Sequence, residues 1–211
     1  MPKISKLDRL YMGMAIDMAS ISHGVRGQVG AILVTNYGVI LTGVNGLPQQ
    51  LGNTLEDPVY DLVTQFGESP KYVYIGLETK KEVIHAELNC ILKGAREGVS
   101  TVDATIYTTV SPCAQCASML VSAGIKRVVF LSTYRDSRGL QILRDCGVIV
   151  DQIEGNIMKF SDFFNVIVSL FEQDGIDFNM LPDDRQDEIK TNCRSLWQDG
   201  YEPQEAYDTL D

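Results

Sequence analysis

Leu7, Leu10, Tyr11, Met14, Ile16 and Met18 recur at near-helical intervals, and their spacing predicts an amphipathic helix over residues 5–21. Ser5, three residues ahead of Asp8, supplies its N-terminal cap, and His23-Gly24 ends it. Two strand-like runs follow, 28–35 and 39–43, joined by Asn36-Tyr37-Gly38 as a hairpin requires. Residues 46–84 show no clear period. Gly, Pro, Asn and Gln crowd the first part and Glu-Ser-Pro breaks the middle, with a short helix expected near residues 57–66. A stretch this long without periodicity is more often functional or interface-forming than idle.

Order returns at His85. The pattern predicts a helix over 85–97 closed by Gly98, a strand over 104–110, and a helix over 112–123 closed by Gly124. A strand over 127–131 follows, its centre Val128-Val129-Phe130 β-branched and aromatic, as a buried parallel strand requires. A helix over 139–146, capped by Gly147, and a short strand over 148–150 complete the series. The order α-β-β-α-β-α-β-α-β argues for an α/β chain folded as a three-layer α/β/α sandwich around a five-stranded mixed sheet. After residue 150 the character changes. Residues 158–172, 185–196 and 203–210 predict three helices, the first with an apolar face of Phe160, Phe163, Phe164, Ile167, Leu170 and Phe171. The expected organisation is a domain over 1–150 and an acidic helical extension over 151–211. So large an apolar face is expected to pack on the body or on a neighbouring subunit.

Charge sharpens this division. The chain of 211 residues carries 18 basic and 28 acidic side chains, net −10. Residues 151–211 hold 15 of the acids and 4 of the bases, so residues 1–150 are close to neutral at net +1. No basic stripe marks a nucleic-acid backbone site, and a near-neutral body suits a small substrate without by itself excluding a nucleic acid; the expectation is a small substrate and no nucleic-acid partner. No apolar run approaches the roughly 20 residues of a membrane span, so no membrane partner is expected. The N-terminus lacks the apolar region of a signal peptide, and a cytoplasmic, intracellular location is the expectation. Five unevenly spaced cysteines argue against a disulfide framework, and only Cys113 and Cys116 stand in ligand-like spacing.

His85-Ala86-Glu87 is followed 28 residues later by Cys113-Ala114-Gln115-Cys116, preceded by Pro112. One imidazole and two thiolates suit zinc, and three protein ligands leave the fourth tetrahedral position open for water, the catalytic pattern. Both groups fall at predicted helix starts, where the helix dipole favours thiolates. Glu87, two residues from His85, suits a proton shuttle that works as base and then as acid. Taken singly the motifs are ambiguous: His-x-Glu arises by chance, and Cys-x-x-Cys fits a redox pair or half of a structural finger. The joint pattern is the zinc-deaminase signature.

The run HAELNCILKG over 85–94, with YTTVSPCAQC over 107–116 and AGIKRVVF over 123–130, resembles the deoxycytidylate (dCMP) deaminases. Gln28-Val29-Gly30-Ala31 and Gly43-Val44-Asn45-Gly46-Leu47-Pro48 fit the same family, and the resemblance covers about residues 5–150. It implies a cytidine-deaminase-like fold and one catalytic Zn2+. It implies hydrolysis of dCMP to dUMP and ammonia, supplying dUMP for thymidylate synthesis. It also implies commonly a homohexamer, with activation by dCTP, inhibition by dTTP and Mg2+ accompanying such an effector. Residue by residue, His85, Cys113 and Cys116 match the zinc ligands and Glu87 the proton shuttle. Asn45 matches a substrate-binding asparagine, Ala86 the residue whose backbone meets the pyrimidine edge, and Tyr134 the aromatic that closes over substrate. Ser111 is placed to offer its carbonyl near the leaving amine, and Arg26 and Arg135 are candidate phosphate-binding cations. Val44 departs from the aromatic that the family often carries in a turn associated with the regulator. Residues 47–84 contain neither Cys nor His, so a second, structural zinc is not expected. The rival readings are a deaminase of tRNA adenosine or single-stranded cytosine, which needs several phosphate contacts, and a catalytically silent zinc-binding relative.

Overall fold

The computed structural model describes residues 4–63, 71–154, 157 and 160–210. Helix α1 (Lys6–Ser20) opens the chain and is followed by strands β1 (Gly30–Val34) and β2 (Ile40–Val44). Strands β3 (Glu56–Val63) and β4 (Lys71–Thr79) precede helix α2 (Ala86–Glu97), β5 (Thr105–Val110), α3 (Ala114–Ser122), β6 (Arg127–Ser132), α4 (Arg138–Asp145) and β7 (Ile149–Gln152). Helices α5 (Phe160–Gln173), α6 (Asp183–Asp199) and α7 (Pro203–Tyr207) close it. The described residues divide into two compact units, 14–152 in the first and 4–13 with those from 153 to 210 in the second.

The first unit is built on a five-stranded sheet in the order β2-β1-β5-β6-β7. β1 runs antiparallel to β2 and β5, whereas β5, β6 and β7 are mutually parallel, so the sheet is mixed as expected. The β1–β2 turn is fixed by Gly38 at φ 89° and by the Thr35 hydroxyl, which accepts the Val39 N–H at 2.9 Å. Successive residues of a strand face opposite sides of a sheet. Ala31 and Leu33 join Ala86 and Cys90 of α2, Ala117 and Leu120 of α3 and Leu143 of α4 in one buried cluster. Gly30, one residue out of phase, faces α1: a Cβ there would overlap the Ala15 carbonyl. Helices therefore cover both faces, in the α/β/α arrangement that the element order implies.

The segment expected to hold a helix near residues 57–66 is instead the strand β3, paired antiparallel with β4 in a separate two-stranded sheet. Residues 64–66 of that expected helix lie outside the described residues. The pairing wins because aromatic and β-branched side chains meet across it: Tyr60 and Tyr74 pack edge to face with ring centroids 5.9 Å apart. The register slips between Val59 and Tyr60, opposite Gly76 at φ 151°, which marks a bulge. Tyr60, Leu62, Tyr72, Tyr74 and Ile75 remain exposed. The ends of this insert are stitched together just before α2, where Gly46 and Ile84 exchange N–H···O bonds of 3.0 and 2.9 Å.

The second unit has a core of its own: Phe163, Ile167 and Phe171 of α5 pack with Phe178, with Ile189 and Cys193 of α6, with Ala206 of α7 and with Leu210. Met158, at the start of the expected tail helix, lies outside the described residues, as does the side chain of Phe160. Ser5 and Asp8 cap α1 reciprocally, Ser5 N–H reaching Asp8 Oδ2 at 2.8 Å and Asp8 N–H reaching Ser5 Oγ at 3.1 Å. The buried stripe of α1 is Asp8, Met12 and Ala15, whereas Leu7 and Leu10, expected on the apolar face, are exposed. Among the described residues no helix is long and apolar enough to cross a membrane.

Candidate active site

Two helix starts converge at the ends of β2 and β5. His85 is the N-cap of α2 and Cys113 the N-cap of α3. The Cys113 sulfur accepts the Cys116 N–H at 3.5 Å, so the thiolate that caps the helix also presents itself as a ligand. Helix packing brings the two ends close. A Cβ at Gly43 of β2 would overlap the Ala86 carbonyl, and a Cβ at Gly139 of α4 would overlap the Pro112 carbonyl, so glycine at both positions permits the approach.

His85 Nδ1 lies 3.6 Å from Cys113 Sγ and 3.4 Å from Cys116 Sγ. The three ligand atoms lie within 4.8 Å of one another and form the one such group among the described residues. Atoms bound to one tetrahedral zinc at its usual N and S bond lengths lie about 3.3–3.8 Å apart. The donor set and its spacing therefore fit zinc. A hydrogen bond from the Cys116 thiol, then one from His85, holds the Cys113 thiol down to about 3, while Cys116 keeps its own proton and is raised, first by that same bond. The bond to Cys113 likewise raises His85 above its ordinary value. A divalent cation is the species that replaces these shared protons, since each ligand must be deprotonated to bind it.

Glu87, in the first turn of α2, is 3% exposed. Burial pushes its carboxyl up to about 7, against the smaller opposing effects of its own backbone N–H and of His85. A carboxyl so placed exchanges a proton readily near neutral pH.

The remaining candidates divide. Ala86 is fully buried as the first residue of α2. Asn45 lies next to Gly46, whose bridge to Ile84 sets it near His85; its Oδ1 accepts the Val29 N–H at 2.8 Å and its Nδ2 donates to the Gly27 carbonyl at 3.0 Å. Ser111, 2% exposed, accepts the Tyr134 N–H on its hydroxyl at 2.8 Å, which fixes the start of the segment after β6. Tyr134 is half-buried, and the Arg135 guanidinium lies over its ring at 5.5 Å. The Arg26 and Arg135 side chains are exposed, and no contact brings either into the His-Cys-Cys cluster among the described residues. Sequence reasoning passed over two residues that hold backbone in place, Asn89 at the start of α2 and Glu56 at the start of β3. Asn89 donates from its amide to the Val44 carbonyl at 2.7 Å, tying α2 to the strand end that carries Asn45. Its signal was present: a polar side chain inside HAELN, one helical turn beyond the cap. Glu56, buried at the start of β3, accepts the N–H groups of Val25 and Arg26, and nothing in its local sequence marked it.

Comparison with known proteins adds independent observations. Residues 5–132 match the family described as the cytidine and deoxycytidylate deaminase zinc-binding region. The deoxycytidylate deaminase of Enterobacteria phage T4 is 34% identical over 149 aligned residues, covering 58% of this chain and 77% of that protein. The deoxycytidylate deaminase of Saccharomyces cerevisiae is 32% identical over 146, covering 69% of this chain and 44% of that one. The solved dCMP deaminase of cyanophage S-TIM5, in complex with dCMP and dUMP, superposes with a TM-score of 0.58 at 31% identity, covering 70% of this chain and 97% of that one. A mixed sheet with a His-Cys-Cys group at two helix starts and a family match across most of the first unit lead to one assignment: the chain belongs to the cytidine and deoxycytidylate deaminase zinc-binding family.

Proposed function

We propose that the protein is a dCMP deaminase that hydrolyses dCMP to dUMP and ammonia. The observation that carries this reading is the His85-Cys113-Cys116 group with the buried carboxyl of Glu87 beside it. Relatives named for this activity, and a fold neighbour solved with dCMP and dUMP, support the choice of substrate. Zinc, when bound, supplies a Lewis acid that makes water nucleophilic at neutral pH. His85, Cys113 and Cys116 would hold it. Glu87 takes one proton of the attacking water and delivers it to the ring nitrogen as the C4–O bond forms, then takes the remaining proton of the new hydroxyl and delivers it to the amine as the C4–N bond breaks.

The other candidates take binding roles. Asn45 retains one amide hydrogen and one lone pair beyond its backbone bonds, enough for a sugar hydroxyl. Ala86 offers backbone to the pyrimidine edge and Ser111 its carbonyl to the leaving amine. Tyr134 closes over the ring, and Arg26 and Arg135 meet the phosphate, a dianion that suits exposed guanidinium groups. We assign the reaction to the domain over residues 1–150 and place it in the cytoplasm, where the five free cysteines stay reduced. A homohexamer and a Mg2+-dNTP effector complete the family's pattern. Sedimentation and assays with dCTP or dTTP check them, and Val44 argues for weak effector control.

Ammonia release from dCMP, CMP, deoxycytidine and 5-methyl-dCMP, with zinc quantified, tests the proposal. The expected result is the highest kcat/KM on dCMP with one zinc per chain. Deamination of single-stranded oligonucleotides with inert dCMP would replace it with the nucleic-acid reading.

A further inference from the structure

We infer that Glu56 is a positioning residue for phosphate recognition, acting from the root of the β3–β4 hairpin on the backbone that carries Arg26. Its carboxylate is 7% exposed, and a carboxylate so buried is costly without compensation. The compensation comes from two consecutive amides: Oε1 accepts the N–H of Val25 at 3.1 Å and that of Arg26 at 3.2 Å. Consecutive N–H groups converging on one oxygen form an anion nest, here filled by the protein's own carboxylate.

The segment between α1 and β1 is held largely by side chains. Ser22 Oγ accepts the Gly24 N–H at 3.1 Å and donates to the Asn45 carbonyl at 3.2 Å, and Gln28 Nε2 donates to the Ser22 carbonyl at 2.8 Å. Asn45 grips Gly27 and Val29. These bonds fix the part of the segment that faces Asn45. Glu56 alone of this set comes from the insert, and it fixes Val25–Arg26. It is itself held from both sides, since Leu55 accepts the Lys80 N–H at 2.9 Å and Asp57 pairs with Lys80 Nζ at 3.4 Å. No carboxylate pairs with the Arg26 guanidinium among the described residues, so that cation is open to a phosphate dianion.

This inference rests on the dCMP reading. The test is steady-state kinetics on dCMP with zinc-loaded wild type, Glu56→Ala, Glu56→Gln, Arg26→Ala and the Glu56→Ala/Arg26→Ala double variant. We expect Glu56→Ala to raise KM about tenfold with kcat within about twofold, since binding and not the chemical step is lost. Glu56→Gln keeps an oxygen that accepts both N–H groups and restores most of the wild-type KM. The double variant is no worse than Arg26→Ala, because the two act through one contact. Amide exchange at Val25 and Arg26 accelerates in Glu56→Ala, while that of β5 is unchanged. An unchanged KM, a KM rise that simply adds to that of Arg26→Ala, or a parallel loss of kcat and zinc overturns the role. Glu56→Asp, one methylene short, serves where the alanine variant does not accumulate, and an unchanged KM there is equally fatal. A wild-type protein inert toward dCMP overturns the activity and this role together, whereas active wild type with an indifferent Glu56 overturns the role alone.

Discussion

Glu87 shows how burial sets chemistry at the level of one side chain. Desolvation moves its carboxyl from the acid range to about 7, where taking and returning a proton are comparably easy. Glu87→Gln keeps the shape and removes the proton exchange. It should lower kcat on dCMP by about 10²–10⁴-fold with zinc content unchanged, read by ammonia release and metal analysis. The ligands behave in the opposite way. Cys116→Ala leaves one thiolate and one imidazole, and His85→Ala leaves two thiolates, so both should yield protein with little bound zinc and no turnover. Chelation of the wild type should abolish activity and lower Tm, because a metal bound only by the folded state stabilises it. These residues were legible because zinc chemistry demands particular donors at particular spacings. Glu56 was not, because the partners that give it meaning lie 30 and 31 residues away.

Between elements, close approach decides where the site residues stand. Gly43 lets α2 lie against β2, and Asn89 locks the same contact from the helix side. Gly43→Ala should destabilise the fold by about 1–3 kcal/mol in urea denaturation, and it should weaken zinc retention because the displaced Ala86 carbonyl adjoins His85. The α2, β5, α3, β6 and α4 segments were readable because each is apolar on a face that is then buried, and the three helices are followed by Gly98, Gly124 and Gly147. The β3–β4 pair escaped because neither strand has one clearly buried face: Pro58, Asp57 and Asp61 interrupt the first, and the second keeps Tyr72, Tyr74 and Ile75 in solvent. The run Tyr72-Val73-Tyr74-Ile75 was the available signal, read from composition and not from alternation.

At the scale of the molecule, the described residues form two buried clusters, one around α2, α3 and α4 against the five-stranded sheet and one in the second unit around α5. Within that second core Phe171 contacts both Phe178 and Tyr207, and the Tyr207 hydroxyl donates to Asp174 at 2.5 Å. Phe163→Ala should cost about 3–5 kcal/mol in the stability of this unit, seen as an early calorimetric transition, with the zinc content of the protein unchanged. The excess of acid over base lies in residues 151–211, with 15 acidic and 4 basic side chains, so residues 1–150 present a nearly neutral body to a small anionic nucleotide.

Local pattern and chemistry, both written in the chain itself, determined the helices, the sheet strands, the zinc-ligand set and Glu87, because each depends on residue type and short spacing. Folding in three dimensions decided the β3–β4 hairpin, the buried stripe of α1, the capture of Asn45 by Gly27 and Val29, and the role of Glu56. Those features depend on partners distant along the chain, and a hydrogen bond across thirty residues leaves no periodic trace in either segment that makes it.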